Sequence, residues 1–149
     1  MYLGLLHSHN LLRWIVLIAA VVALLQVYRS WRGKGTWSPA DTRAGLFFTI
    51  SLHVQLLVGF LLFAVSPLTT TAFINIGAAM QNSVQRFFLV EHTAVMILAV
   101  VLAQIGFSLG RKRGRPATAT AFYALAILAM IVAIPWPGLI HGRPLFPGM

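Results

Sequence analysis

The stretches AGLFFTISLHVQLLVGFLLFAV at 44–65 and FFLVEHTAVMILAVVLAQIGFSL at 87–109 decide how this chain folds. Apolar residues run through both almost without interruption and do not alternate with polar ones. That pattern reads as helix and not as barrel strand. Each stretch meets the roughly 20 residues a helix needs to cross a hydrocarbon core about 30 Å thick. Two further runs, Leu11–Tyr28 and Ala117–Trp136, have the same character. The sequence therefore predicts helices at about 5–29, 44–65, 84–109 and 117–136, all within one transmembrane domain covering 1–149.

Composition agrees with this reading. Hydrophobic residues make up 59% of the 149 positions and charged residues 9%, against about 25% charged in a soluble domain. With so few charges the surface has to face lipid. There is no cysteine, which removes thiolate metal sites, iron–sulfur clusters and covalently attached haem.

The net charge of +9 would suggest nucleic acid in a soluble protein, but the positions of the basic residues point elsewhere. Arg29, Arg32, Lys34 and Arg43 fall between the first two spans, and Arg111, Lys112, Arg113 and Arg115 between the last two. The segment Ser66–Val84 carries no charge. The positive-inside rule puts both basic connections in the cytoplasm. The expected protein is an all-α, antiparallel four-helix bundle in a bacterial inner membrane, with both termini on the outer, periplasmic face. The run Arg111–Arg115 reads as a topology signal and a contact for anionic lipid head groups, so no nucleic-acid partner is expected. The first apolar run lacks a basic start, and its positive charges follow it. It reads as a retained helix and not a cleaved signal. Ala19, Ala20 and Ala23, then Ala99, Ala103 and Gly106, then Ala121, Ala124, Ala129 and Ala133, are the small residues expected to let helices approach closely.

Ionisable side chains at membrane depth are costly and are functional candidates for that reason. His53 lies nine residues past Ala44 and His92 eight past Val84. At 1.5 Å per residue they sit roughly 14 Å and 12 Å into the bilayer from opposite ends, close to one level. Aromatic, aliphatic and small residues follow both on their helices. Two facing imidazoles in such a setting fit the axial ligation of one haem b. Polar pairing without a cofactor and a small metal site are the competing readings.

The outer end adds His7, His9, Asn10 and Arg13. His7 is an alternative ligand opposite His92, and His7 with His9 an alternative metal pair. His9 and His141 otherwise read as solvated interfacial groups. Glu91 is the one acid inside a span and needs a partner or a proton. Arg13 from the neighbouring helix is the expected partner, because the five-residue spacing from Arg86 is awkward on one α-helix. The pair reads as structural, with a proton relay as the sharper alternative. Arg86, Arg13 and Arg143 are candidate contacts for haem propionates or a quinone head group.

Three motifs, LLHSHNLLRW at 5–14, NSVQRFFLVEH at 82–92 and IPWPGLIHGRPLFPGM at 134–149, resemble a group of small four-helix bacterial membrane proteins often labelled cytochrome b-like. The resemblance implies a four-helix membrane fold and b-type haem. The plan is also similar to four-helix cytochromes b that exchange electrons with quinones, although those with two haems need four buried histidines. Electron transfer, with quinol or within a redox complex, is the leading expectation. The alternative is a cofactor-free accessory subunit packed against other membrane subunits or a second copy. A third reading is a metal-binding or transport protein using His7, His9, His92 and His141. No hydrolase triad or phosphate-binding loop is present, since Gly33-Lys34-Gly35 lacks the rest of a P-loop.

Overall fold

The computed structural model describes residues 1–33 and 35–146. Lys34 and the last three residues of the C-terminal motif, 147–149, lie outside the described residues. Among those described there is helix and no strand. The elements are α1 (Tyr2–Arg32), α2 (Pro39–Val65), α3 (Pro67–Ile74), α4 (Ile76–Gln81), α5 (Ser83–Arg86), a π turn (Phe87–Glu91), α6 (His92–Arg113) and α7 (Pro116–Ala133). Since α5, the π turn and α6 are continuous, four helical segments are long and apolar enough to cross a membrane: Tyr2–Arg32, Pro39–Val65, Ser83–Arg113 and Pro116–Ala133.

The ends of these helices follow from local chemistry. α2 starts five residues before the apolar run, because Ser38 and Asp41 form a reciprocal capping box and Pro39 occupies the first turn. α6 runs on to Arg113 and stops at Gly114, whose φ of 63° only glycine adopts readily. α7 ends at Ala133, three residues short of the predicted Trp136. The residue before Pro135, Ile134, is pushed to extended backbone (φ −69°, ψ 130°). Several basic residues assigned to connections belong to helices: Arg29 and Arg32 lie in the last turn of α1, and Arg111, Lys112 and Arg113 in that of α6. There they complement the negative end of the helix dipole. The uncharged middle connection is itself helical, with Ser66, Asn75 and Asn82 capping α3, α4 and α5 in turn.

The four long segments pack as a helical bundle around Ala19, Ala20, Ala23, Phe48, Leu52, Ala99, Ala103, Ala119, Tyr123 and Ala126. Small residues set the spacing. A Cβ on Gly106 would come 2.8 Å from the Phe122 Cβ, and one on Gly110 would come 2.6 Å from the Trp37 ring. The small face of α7 keeps the predicted Ala133 but is otherwise phased differently from the prediction. Ala119 and Ala126 are buried, whereas Ala121 and Ala124 are exposed. On the outside, Leu11, Ile15, Ile18, Val22 and Leu25 form an exposed apolar stripe along α1 at helical spacing.

The basic end of the bundle is closed by polar contacts. Asp41 is fully buried. It accepts hydrogen bonds from Gln26 Nε2 (3.1 Å), Ser30 Oγ (2.9 Å) and the Ser38 backbone N–H (2.7 Å). These tie the end of α1 to the start of α2. The Trp37 indole donates to Thr42 Oγ1 at 2.8 Å and covers Phe107.

Candidate functional site

The opposite end opens into a cavity between the helices. Its lining on α1 extends from Tyr2 to Leu17, and on α2 from Leu52 to Phe63, with Ser66 just past the end of that helix. At 1.5 Å per residue this makes a slot about 20 Å long. It encloses about 160 Å³, against the roughly 10–15 Å³ that one water needs. His9, Arg13 and Val16 reach it from one face of α1, at the i, i+4, i+7 spacing of a helix stripe. His92 and Met96 reach it from α6, four residues apart. Gln55, Leu56 and Gly59 line it from α2, and Met130 and Ile134 from α7 and its end.

His9 and His92 face each other across the slot, with ring centroids 6.4 Å apart and planes at 68°. The orientation of His92 follows from where α7 stops. The Ala133 carbonyl would ordinarily accept from the N–H four residues on, but that residue is Pro137, which has none. His92 Nδ1 takes this place at 2.7 Å. A carbonyl only accepts, so Nδ1 carries the proton and Nε2 is left free. Gln55 Nε2 donates to the His9 carbonyl at 3.0 Å and holds α2 against α1 at this level. Gly59 sits against the His9 ring, where a Cβ would lie 3.1 Å from Cε1.

The register of His92 depends on the π turn that precedes it, whose i→i+5 hydrogen bonding inserts one residue into the helix. The same turn resolves the partner of Glu91. Five-residue spacing is awkward on an α-helix but brings two side chains together across a π turn. Arg86 Nε donates to Glu91 Oε1 at 2.8 Å. The expected Arg13–Glu91 pair does not form. Glu91 and Arg86 are both exposed, and neither lines the slot.

Arg13 is buried, and its Nη2 donates to the Leu145 carbonyl at 2.7 Å. Trp14 Nε1 donates to the same oxygen at 3.1 Å and its ring stacks on Phe146. Arg143 also lines the slot, with its guanidinium 5.0 Å from the centre of the Phe88 ring. His141 stacks on Phe87, which stands 5.8 Å from His92. The segment after α7 thus lies over the mouth of the slot, pinned to α1 and to the π turn.

The remaining histidines do not join the pair. His53 is exposed, does not line the slot, and has its Nδ1 bonded to the Thr49 carbonyl of its own helix at 2.6 Å. The reason is phase. Asp41, Gly45, Phe48 and Leu52 run along the middle of the buried face of α2, with Thr49 at its edge. His53 is one residue, about 100° of helix, past that face, while Gln55, Leu56 and Gly59 return to it. His7 has a buried Nδ1 but is not part of the lining. No group of three or more His, Cys, Asp or Glu side chains is gathered as for a metal ion among the described residues.

Two features went unread in the sequence. His9 passes for an interfacial residue until Arg13 and Val16 are seen to share its face. Asp41 lies outside the apolar runs, yet Ser38-Pro39-Ala40-Asp41 is a capping-box signature.

No family model, curated protein or solved structure matches this chain.

The slot suits a haem by donor chemistry. Two imidazoles from different helices reach it, and His92 has its Nδ1 held by the Ala133 carbonyl and its Nε2 left to accept a ligand bond. Three buried polar atoms in the slot wall, His9 Nδ1, Arg13 Nε and Gln55 Oε1, have no protein partner. Asn10, Ser66, Thr69, Thr93 and Arg143 add further polar groups to a wall that is mostly aliphatic, aromatic and thioether, which suits a flat apolar group with a charged edge.

Proposed function

We propose that this protein is a membrane electron carrier that binds one b-type haem through His9 and His92, as an antiparallel four-helix bundle in a bacterial inner membrane with both termini outside. The observation that carries the reading is that two imidazoles from different helices enter one slot whose wall also holds buried polar atoms without a protein partner. Topology rests on the basic residues clustered at one end. It rests also on the reversed order of contacts, since Gln26 reaches Asp41 while Gln55 reaches His9.

When bound, haem supplies one-electron chemistry. The chain supplies ligands, charge and burial. The His92 Nδ1–H bond to Ala133 fixes the tautomer and presents Nε2, the outer-sphere support that ligating histidines usually have. Arg13 and Arg143 are the cations available to carboxylate groups at the slot mouth. Phe88, Met96, Leu56 and Met130 keep water from the centre, which with the ligands sets the potential. The apolar outer faces suit diffusion to a quinol or docking to a redox complex.

The test is an absorption spectrum of the purified protein, oxidised and then reduced with dithionite. The expected result is a sharp reduced α-band of low-spin haem that is lost in His9→Ala and in His92→Ala and kept in His53→Ala. Loss with His53→Ala and survival with His9→Ala would restore the pairing expected from depth alone. No haem in any preparation made with ample haem would leave the accessory-subunit reading.

A further inference from the structure

We infer that the groove between α1 and α2 at the basic end is a binding site for an anionic phospholipid, its head-group phosphate held between Arg29 and Arg43. The groove is lined by Val22, Leu25, Gln26 and Arg29 from α1 and by Ala40, Arg43 and Ala44 from α2. Positions 22, 25, 26 and 29 are one face of α1, and 40, 43 and 44 one face of α2. The two guanidiniums therefore flank a single concavity. Alanines on the α2 side keep it open.

Charge complementarity is one-sided here. Asp41 is the nearest acid in sequence to either arginine, and it is fully buried, its oxygens engaged by Gln26, Ser30 and Ser38. The ion pair among the described residues is Arg86–Glu91, at the other end of the bundle. Arg29 and Arg43 are thus two exposed cations on one groove with no acid assigned to either.

The apolar surface beneath distinguishes a lipid from a free anion. Below the arginines, Val22 and Ile18 on α1 and Phe47 and Ile50 on α2 are exposed, Ile18 by 64% and Phe47 by 59%. They continue the groove towards the middle of the bundle at helical spacing. A phosphate between the guanidiniums places its acyl chains along them. Basic pockets between membrane helices recognise anionic head groups in this way, and guanidinium suits phosphate because its donors form a planar fork. Arg111 and Arg113 sit at the same end but on the last turn of α6, outside this groove. They form a matched control of equal charge.

The experiment reconstitutes the full chain into nanodiscs of phosphatidylglycerol and phosphatidylcholine at equal amounts and measures the lipids retained after mild detergent extraction by native mass spectrometry. Wild type is expected to retain phosphatidylglycerol selectively. Arg29→Gln/Arg43→Gln is expected to lose that preference, by about fivefold per arginine removed. Arg111→Gln/Arg113→Gln is expected to keep it. Equal losses in both double variants would overturn the site in favour of diffuse attraction, and an absence of preference in wild type would overturn it outright. Abolition of retention by inorganic phosphate alone would reassign the groove to a free anion. If the Arg29/Arg43 variant does not fold, thermal melting of wild type decides. A melting temperature raised by phosphatidylglycerol and not by phosphatidylcholine supports the site, and equal effects refute it. None of these readouts depends on haem.

Discussion

The two ends of this bundle are built on opposite principles. At the basic end Asp41 is fully buried with three hydrogen bonds, the glycines of α6 let α7 and Trp37 close in, and the polar contacts tie helix to helix, although the buried Tyr123 hydroxyl beside Gly45 has no protein partner. At the histidine end the helices stand apart around a slot, and three polar atoms in its wall have no protein partner. A satisfied buried network holds one arrangement firmly, and unpaired buried polar groups cost stability. The contrast teaches that cohesion and chemistry are separated along the helix axes. One end fixes the bundle so that the other can hold an open polar cleft.

The sharpest way to break this comparison is at the histidines. His9→Ala or His92→Ala should abolish haem uptake while leaving helicity in detergent unchanged by circular dichroism. A collapse of helicity would mean that the slot also holds the fold. The converse change is Asp41→Ala, which strips Gln26, Ser30 and the α2 N-terminus of their acceptor. It should cost about 2–4 kcal/mol in denaturant unfolding, with the haem band of the folded fraction unmoved. Gly59→Leu is more local. Its side chain meets the His9 ring at the slot wall and should lower haem content several-fold, with a stability change of about 1 kcal/mol, the centre of the range for point substitutions. Arg86→Gln should do least. Its pair with Glu91 is about half exposed, and such pairs contribute about 0.5 kcal/mol or less. A large loss of haem there would show that the pair holds the π turn in register.

The helices themselves were legible in the sequence because continuous apolar runs and basic clusters depend on composition, which tertiary contacts do not alter. Their ends were less so, since they hang on single residues: Ser38 and Asp41 extend α2, and Pro135 cuts α7 short. Which polar side chains share one cavity was not legible. Depth along the axis made His53 and His92 partners, but depth says nothing of rotation. On α2 one residue of phase turns His53 outward and leaves Gln55 and Gly59 facing the slot. Glu91 failed for a related reason. Rules for α-helical spacing do not hold across a π turn, and nothing in FFLVE announces one.

That turn also sets how far the protein is from a different version of itself. Five residues, Phe87–Glu91, carry one more than an α-helical path would need. Removing a single codon there would leave His92 and everything after it facing as before. It would leave Arg86 and the connection above it in place as well, because an α-helical path one residue shorter joins the same two ends, and it would bring Arg86 and Glu91 to four-residue spacing. This stretch is thus one in-frame deletion away from an ordinary helix, and a change of length by one residue here is absorbed within the turn.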